Sequence, residues 1–238
     1  YNNLGSAYDE IGEKNKAIEF FEKSIELDSN SVEPYNNLGS IFRYSREYKK
    51  SIQFYKKAIQ VNKNYSKARK NLGLVYLLLS NFEEGFEEFE WRIYEKNKKE
   101  YINTQLKSLL WKGENLDNKV ILILSEQGIG DIIHFSRYIY ELQSKYNVKI
   151  IFRTHKKLIH LFKDLKFKII SEEDNIPVHD YHVYLLSLLK FYYQREQKLL
   201  KQYSFINKNS EIFSKWKNKL SNIHSSKIGI NWQGSRTY

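Results

Sequence analysis

Residues 125–131 read SEQGIGD, between an apolar run, VILIL at 120–124, and an amphipathic stretch. A strand that enters a helix through a glycine-containing turn brings backbone N–H groups close to a phosphate or a sugar hydroxyl. Asp131 in such a turn is a candidate catalytic residue. It is equally a candidate N-cap, because its carboxylate can accept backbone N–H bonds and faces the positive helix end. Spacing alone leaves both open. A P-loop is excluded, since Asp131-Ile132 stands where Lys-Ser or Lys-Thr is required. The dinucleotide fingerprint lacks its third glycine after Gly128 and Gly130. Glu126, Gln127, Gly128, Ile129 and Gly130 of the same turn are candidate substrate-binding residues. His134 lies one turn after Asp131, as a structural residue or a group that switches charge near neutrality. His179 and His182 would need a third ligand to hold a metal, and the chain has no Cys, so no metal is expected.

Strands must carry this turn. Val120–Leu124 reads as a strand and Asp131–Lys145 as a helix with Ile132, Ile133, Phe135, Ile139 and Leu142 on one side. Val148–Phe152 and Phe167–Ile170 read as further strands, Lys156–Asp164 as a short helix and Tyr181–Leu185 as a fourth strand. Alternation of this kind predicts a parallel, doubly wound sheet, with ligands beyond the carboxyl ends of the strands.

The first half has a different order. Leu4, Leu38 and Leu72 are 34 residues apart, as are Gly5, Gly39 and Gly73, then Tyr8, Phe42 and Tyr76, and Phe21, Tyr55 and Phe89. The small position runs Ala17, Ser51, Gly85, and the next Ser24, Ala58, Arg92. This period and pattern resemble the tetratricopeptide repeat, two antiparallel helices per copy, which cannot bury its apolar face without a stacked neighbour. The third copy departs at Arg92 and Trp91, so its outer face is expected to dock on the following domain. Asn3, Asn37 and Asn71 also recur at 34, on the helix that lines the concave face in the resembling family. An amide offers a donor and an acceptor to an extended peptide, as in the asparagine ladder of the resembling O-linked N-acetylglucosamine transferase repeats. These three are the peptide-binding candidates, with a protein or peptide as partner.

The segment EQGIGDIIHFSRY, preceded by GFEEFEWR and LWKGENL, resembles bacterial proteins that join tetratricopeptide repeats to a glycosyltransferase-like domain. More distantly, Gly130-Asp131 is similar to the first turn of the heptosyltransferase class, glycosyltransferase family 9. The resemblance implies a GT-B fold of two Rossmann-like domains, and Asp131 as the base that deprotonates an acceptor hydroxyl. A helix end beside Asp131 would lower its pKa and weaken it as a base. VHDYHVYLLSLL is similar to another segment of the family and adds Asp180 and His182 as substrate-binding candidates; Leu189-Lys190 stands where the family continues Leu-Pro. KIGINWQGS resembles the first strand and turn of the second domain, with Trp232, Gly234 and Ser235 at the cleft.

The expected organisation is therefore α followed by α/β. Repeats occupy 1–95, a helical bridge 96–118, a Rossmann-like domain 119–222 and the start of a truncated second domain 223–238. A nucleotide sugar is the expected co-substrate, with no further cofactor. The alternative is a non-catalytic scaffold built on the repeats.

Composition sets outer limits. The 238 residues are 41% apolar and 16% aromatic, ample for packed cores and unlike a disordered chain. Net charge is +11, which favours anionic partners, although Lys is abundant throughout. Lys190–Lys219 is the densest basic stretch and carries no RNA-binding signature, so nucleic acid is not expected. No apolar run has the length of a membrane span. The chain begins at Tyr1, contains no Met and ends after a strand-like segment, so it is expected to be an internal fragment and inactive alone. The expected location is cytoplasmic.

Overall fold

The computed structural model describes residues 1–95, 106, 108–162, 165–200, 214–215, 217–219 and 221. Three helical pairs come first: α1 (Asn2–Glu10) with α2 (Lys14–Leu27), α3 (Val32–Tyr44) with α4 (Tyr48–Val61), and α5 (Ser66–Leu78) with α6 (Phe82–Phe89). Glycine sets how closely the partners approach. A Cβ on Gly5 would lie 2.7 Å from the Phe21 ring, and one on Gly39 2.5 Å from Tyr55. At Gly73 the obstacle is backbone, Phe89 N at 2.4 Å and Gly85 O at 2.8 Å, so α5 and α6 touch main chain to main chain.

The turns inside the pairs repeat as well. Gly12, Arg46 and Ser80 adopt left-handed φ values of 83°, 61° and 61°. Each donates to the carbonyl three residues back, and the next residue donates to the carbonyl five back: Glu13 to Tyr8, Glu47 to Phe42 and Asn81 to Tyr76, at 2.9, 2.8 and 2.9 Å. This is the Schellman ending, which satisfies the last carbonyls of a helix. Ala17, Phe21, Leu38, Ile41 and Phe42 form one buried cluster, and Tyr35, Tyr55, Ala58, Ala68, Leu72 and Val75 the next. The apolar faces are thus covered by the neighbouring pair, as stacking requires.

After a 3₁₀ turn at Glu90–Tyr94 comes a parallel sheet. Its strands are β1 (Leu109–Leu110), β2 (Val120–Leu124), β3 (Lys149–Thr154), β4 (Lys168–Ser171) and β5 (Tyr181–Tyr184), in the spatial order β1-β5-β2-β3-β4. The chain leaves β2 towards β3 and β4, then returns to β2's other side as β5, so strand order reverses between β2 and β5. The connecting helices are α7 (Ile129–Phe135), α8 (Arg137–Lys145), α9 (Ile159–Phe162) and α10 (Ser187–Glu196).

Alternation along the strands separates two cores. Ile121, Ile123, Ile150, Phe152, Val183 and Leu185 pack with Ile132, Ile139 and Leu142 of α7–α8, Phe162 of α9 and Leu188 and Tyr192 of α10. Leu122, Leu124, Ile151, Ile170 and Tyr184 face the other way and pack against Ile93. The described helices α7–α10 therefore cover one face, and the end of the repeat array contributes to the cover of the other.

Several expectations need correction. The helix predicted at 131–145 begins at Ile129 and divides at Ser136. The helix predicted from Lys156 opens as a 3₁₀ turn, Lys156–Leu158, before the short α9; residues 163–164 lie outside the described set. The described part of the predicted helical bridge is not helical. Residues 108–118 hold the edge strand β1, and Trp111 donates its backbone N–H to the His182 carbonyl at 2.8 Å. Its side chain then enters the core and donates from Nε1 to the Glu114 carbonyl. Two-residue pairing leaves too short a pattern for periodicity to register.

Candidate functional site at the repeat–sheet junction

The carboxyl ends of β2 and β5, where the strand order reverses, form the position at which open parallel sheets bind ligands. Here Arg92 fills it. The side chain extends from the 3₁₀ turn and is 2% exposed. Its Nε and Nη2 donate to the two Glu126 carboxylate oxygens at 3.2 and 2.8 Å. Nη2 also donates to Ser187 Oγ at 2.9 Å, and Nη1 to Glu90 and to the Phe89 carbonyl. Ser187 in turn donates to the Glu90 carboxylate, 2.8 Å from Oε2. The Leu186 amide donates to Glu126 at 3.3 Å. Burial alone would lower the Arg92 pKa, but Glu126 and Glu90 hold it above its ordinary value. Burial, then the Glu126 charge, pushes the neighbouring Tyr184 hydroxyl up to about 12.

Further contacts continue the seam. Lys190 and Gln194 of α10 donate to Glu87 of α6 at 2.9 and 3.1 Å. Tyr193 packs against Phe82 and Phe86 at ring separations of 5.3 and 5.4 Å. On the repeat side, Arg69 of α5 pairs with Glu88 at 3.0 Å and lies over the Trp91 ring, and Lys70 pairs with Glu95 at 2.7 Å. The unusual face of the third copy docks on the sheet domain through Arg92, whereas Trp91 packs against Arg69 and Tyr94.

Glu126 is therefore not an exposed substrate ligand; it is 9% exposed and bound to Arg92. Gln127 follows in a left-handed conformation, φ 67°, and is exposed. The N-cap of α7 is Gly128, not Asp131. Asp131 sits three residues later, exposed in the first turn, with its Oδ2 3.7 Å from where a Gly128 Cβ would be. Ile129 and Gly130 are exposed beside it. His134 is exposed and its Nε2 lies 3.1 Å from Arg137 Nη2. Partial burial, then Arg137, holds its pKa below 6.5.

Asp180 and His182 are elsewhere. Asp180 precedes β5 at the amino end of the sheet and accepts from the Val120 amide at 2.7 Å. It joins strands rather than lining the cleft. His182 lies within β5, 9% exposed, with Nδ1 2.8 Å from Ser108 Oγ. Burial, then His179, holds its pKa below 6.5. Trp232, Gly234 and Ser235 lie outside the described residues. No group of three or more metal-ligating side chains occurs among the described residues.

In the repeats, Asn37 donates to Asn2 Oδ1 and Asn71 to Asn36 Oδ1, both at 3.1 Å. The asparagines form a ladder between successive pairs. Asn3 is exposed, and Lys70 stands where Asn2 and Asn36 stand in the earlier copies.

Family models for the tetratricopeptide repeat match residues 1–31 and 32–65. Residues 1–65 are tetratricopeptide repeats. Similar solved structures include MamA, 36% identical over 40% of this chain and 56% of that chain, with a TM-score of 0.37. The second repeat domain of Spaghetti (RPAP3), bound to the HSP90 peptide SRMEEVD, is 22% identical over 38% of this chain and 83% of its own, TM-score 0.37. The Sgt2 repeat domain from Aspergillus fumigatus is 22% identical over 39% and 62%, TM-score 0.37. The comparison with curated proteins finds no match. Among the described residues, no helix is long and apolar enough to cross a membrane.

Proposed function

We propose that the protein binds an extended peptide segment of a partner protein along its repeats and presents that partner to the sheet domain. The observation that carries this is the asparagine ladder on α1, α3 and α5. Asn37 and Asn71 each use one amide hydrogen in the ladder. The second hydrogen and their own Oδ1 suit the alternating groups of a peptide backbone. Exposed Asn3 extends the row. The test is selection of peptides from a random display library on the full chain, followed by affinity measurement with Asn3→Arg and Asn71→Ala. Enriched peptides that weaken with both variants support the reading; no enrichment, or affinities that ignore both, overturns it.

A second reading is sugar transfer from a nucleotide-sugar donor, in a Rossmann-like domain forming the N-terminal half of a GT-B fold. What favours it is Asp131, exposed at the carboxyl end of β2 beside the accessible Gly128–Gly130 backbone. In this reading Asp131 takes the acceptor's hydroxyl proton, and substrate meets Gln127, Gly128, Ile129, Gly130 and His134. Trp232, Gly234 and Ser235 would belong to the second domain. The test is a screen of nucleotide sugars for hydrolysis or transfer with Asp131→Asn as control. Turnover lost in the variant supports it; turnover that survives removes Asp131 as the base, and no turnover with any donor leaves the binding function alone.

A further inference from the structure

A cavity of about 380 Å³ opens at the amino edge of the sheet, among the first residue of β2, the start of β3 and the start of β4. Its lining combines two kinds of side chain. Val120 and Phe167 are apolar and half-buried, while Lys149, Lys166 and Lys168 are exposed beside them. Strand register explains part of this gathering. Val120 pairs with Lys149, and Lys168 pairs with Ile151, two residues beyond Lys149. Side chains alternate between the faces of a sheet, so Val120, Lys149, Ile151 and Lys168 emerge on one side. Among the described residues, no carboxylate forms an ion pair with any of the three lysines. Asp180, the acid at the same edge, accepts from the Val120 amide at 2.7 Å. Three like charges gathered at a concavity favour an anion. The aliphatic stems of the lysines, with Val120 and Phe167, favour an apolar body next to it. The volume lies in the range of small-molecule sites, roughly 300–1,000 Å³. A concave site of this size suits a small molecule rather than a polymer or a bilayer.

We propose that this cavity binds a small amphipathic anion, a phosphate or carboxylate joined to a short apolar chain. Lys149, Lys166 and Lys168 hold the head group, and the chain lies against Val120 and Phe167. Asp131 and the Gly128–Gly130 turn lie at the other end of the strands, beyond the carboxyl end of β2. The site therefore depends neither on peptide binding by the repeats nor on sugar transfer at that turn.

The experiment is calorimetric titration of the full chain with octyl phosphate, octanoate and inorganic phosphate. Octyl phosphate is expected to bind at one site per chain, at least about tenfold more tightly than inorganic phosphate, the factor for burying two or more methylenes. Lys149→Gln with Lys168→Gln should weaken it roughly 5- to 20-fold, through two lost charge contacts at the surface. Lys56→Gln with Lys57→Gln removes two exposed charges from α4 in the repeats and should leave the affinity unchanged. Tighter binding of octyl phosphate than of octanoate assigns the head group to a phosphate, and the reverse assigns it to a carboxylate; both support the site. No binding of either amphiphile at millimolar concentration overturns the proposal. So does inorganic phosphate binding as tightly as octyl phosphate, because the apolar wall then contributes nothing. An equal loss in the α4 variant overturns it too, since the attraction would then come from net charge alone. If the Lys149 and Lys168 double variant does not fold, Lys166→Gln decides: weaker octyl phosphate binding supports the site, and unchanged binding overturns it.

Discussion

Arg92 and Glu126, 34 residues apart, form a two-point ion pair with side chains 1% and 5% exposed. The pair joins the last turn of the repeat array to the end of the central strand. Ser187 and Glu90 complete its hydrogen bonding. Such a group is worth little over an apolar replacement but is costly to break on one side, because the surviving charge stays buried.

Arg92→Ala should therefore destabilise the protein by about 3–5 kcal/mol. Arg92→Met with Glu126→Gln should recover part of that loss, since neither charge then remains. Denaturant unfolding of the single and double variants measures the coupling. Additive losses would show that the two side chains do not depend on one another.

Gly73→Ala should be the most damaging alanine substitution among the repeat glycines. The added Cβ meets Phe89 N and Gly85 O rather than a movable ring edge. Overpacking of this kind costs about 1–3 kcal/mol or more. Gly130→Ala, with nothing within 4 Å of its Cβ, should be neutral or stabilise by about 0.4–1 kcal/mol. Comparable midpoints for the two variants would contradict the close approach of α5 and α6.

Removal of a ladder amide by Asn37→Ala should cost roughly 1 kcal/mol, the net value of an ordinary hydrogen bond. Asn3→Ala, at an exposed position, should stay within about 0.5 kcal/mol of the parent. Thermal melts distinguish the two.

Stability should fall in mild acid through His182. Its folded pKa lies below 6.5, so the unfolded chain binds more protons in that region and stability rises with pH there. The contribution is complete above 6.5 and is lost as pH falls from 6.5 through the lower folded value. His182→Gln should flatten the unfolding midpoint across this window. His134→Gln should flatten it less, because His134 is shifted in the same direction but is exposed, where water screens its interactions. A midpoint curve that keeps its slope in His182→Gln would place the pH dependence on another group.

The 34-residue period was sufficient to predict helical pairs, close contact at the glycines and stacking, because those features depend on residues at fixed separations. The alternation of β2–β5 with helical segments was likewise visible as a change of period, and the odd residue Arg92 marked the docking face, while Trp91 turned out to pack on Arg69. The identical turns at Gly12, Arg46 and Ser80 were hidden, since three different residues adopt one backbone conformation under the same helix packing. β1 was hidden because its pairing is set by β5 and not by its own pattern. The roles within the turn were decided only in three dimensions. Glu126 and Asp131 are both acidic residues of one short loop, and no local signal separates them. One points to a buried arginine from the repeat array and the other to solvent. Likewise Asp180 and His182 sit two residues apart in sequence, yet the strand direction puts them at the amino end and in the interior of the sheet. Long-range packing chose these environments, and environment fixes which carboxylate holds the structure and which remains available for chemistry.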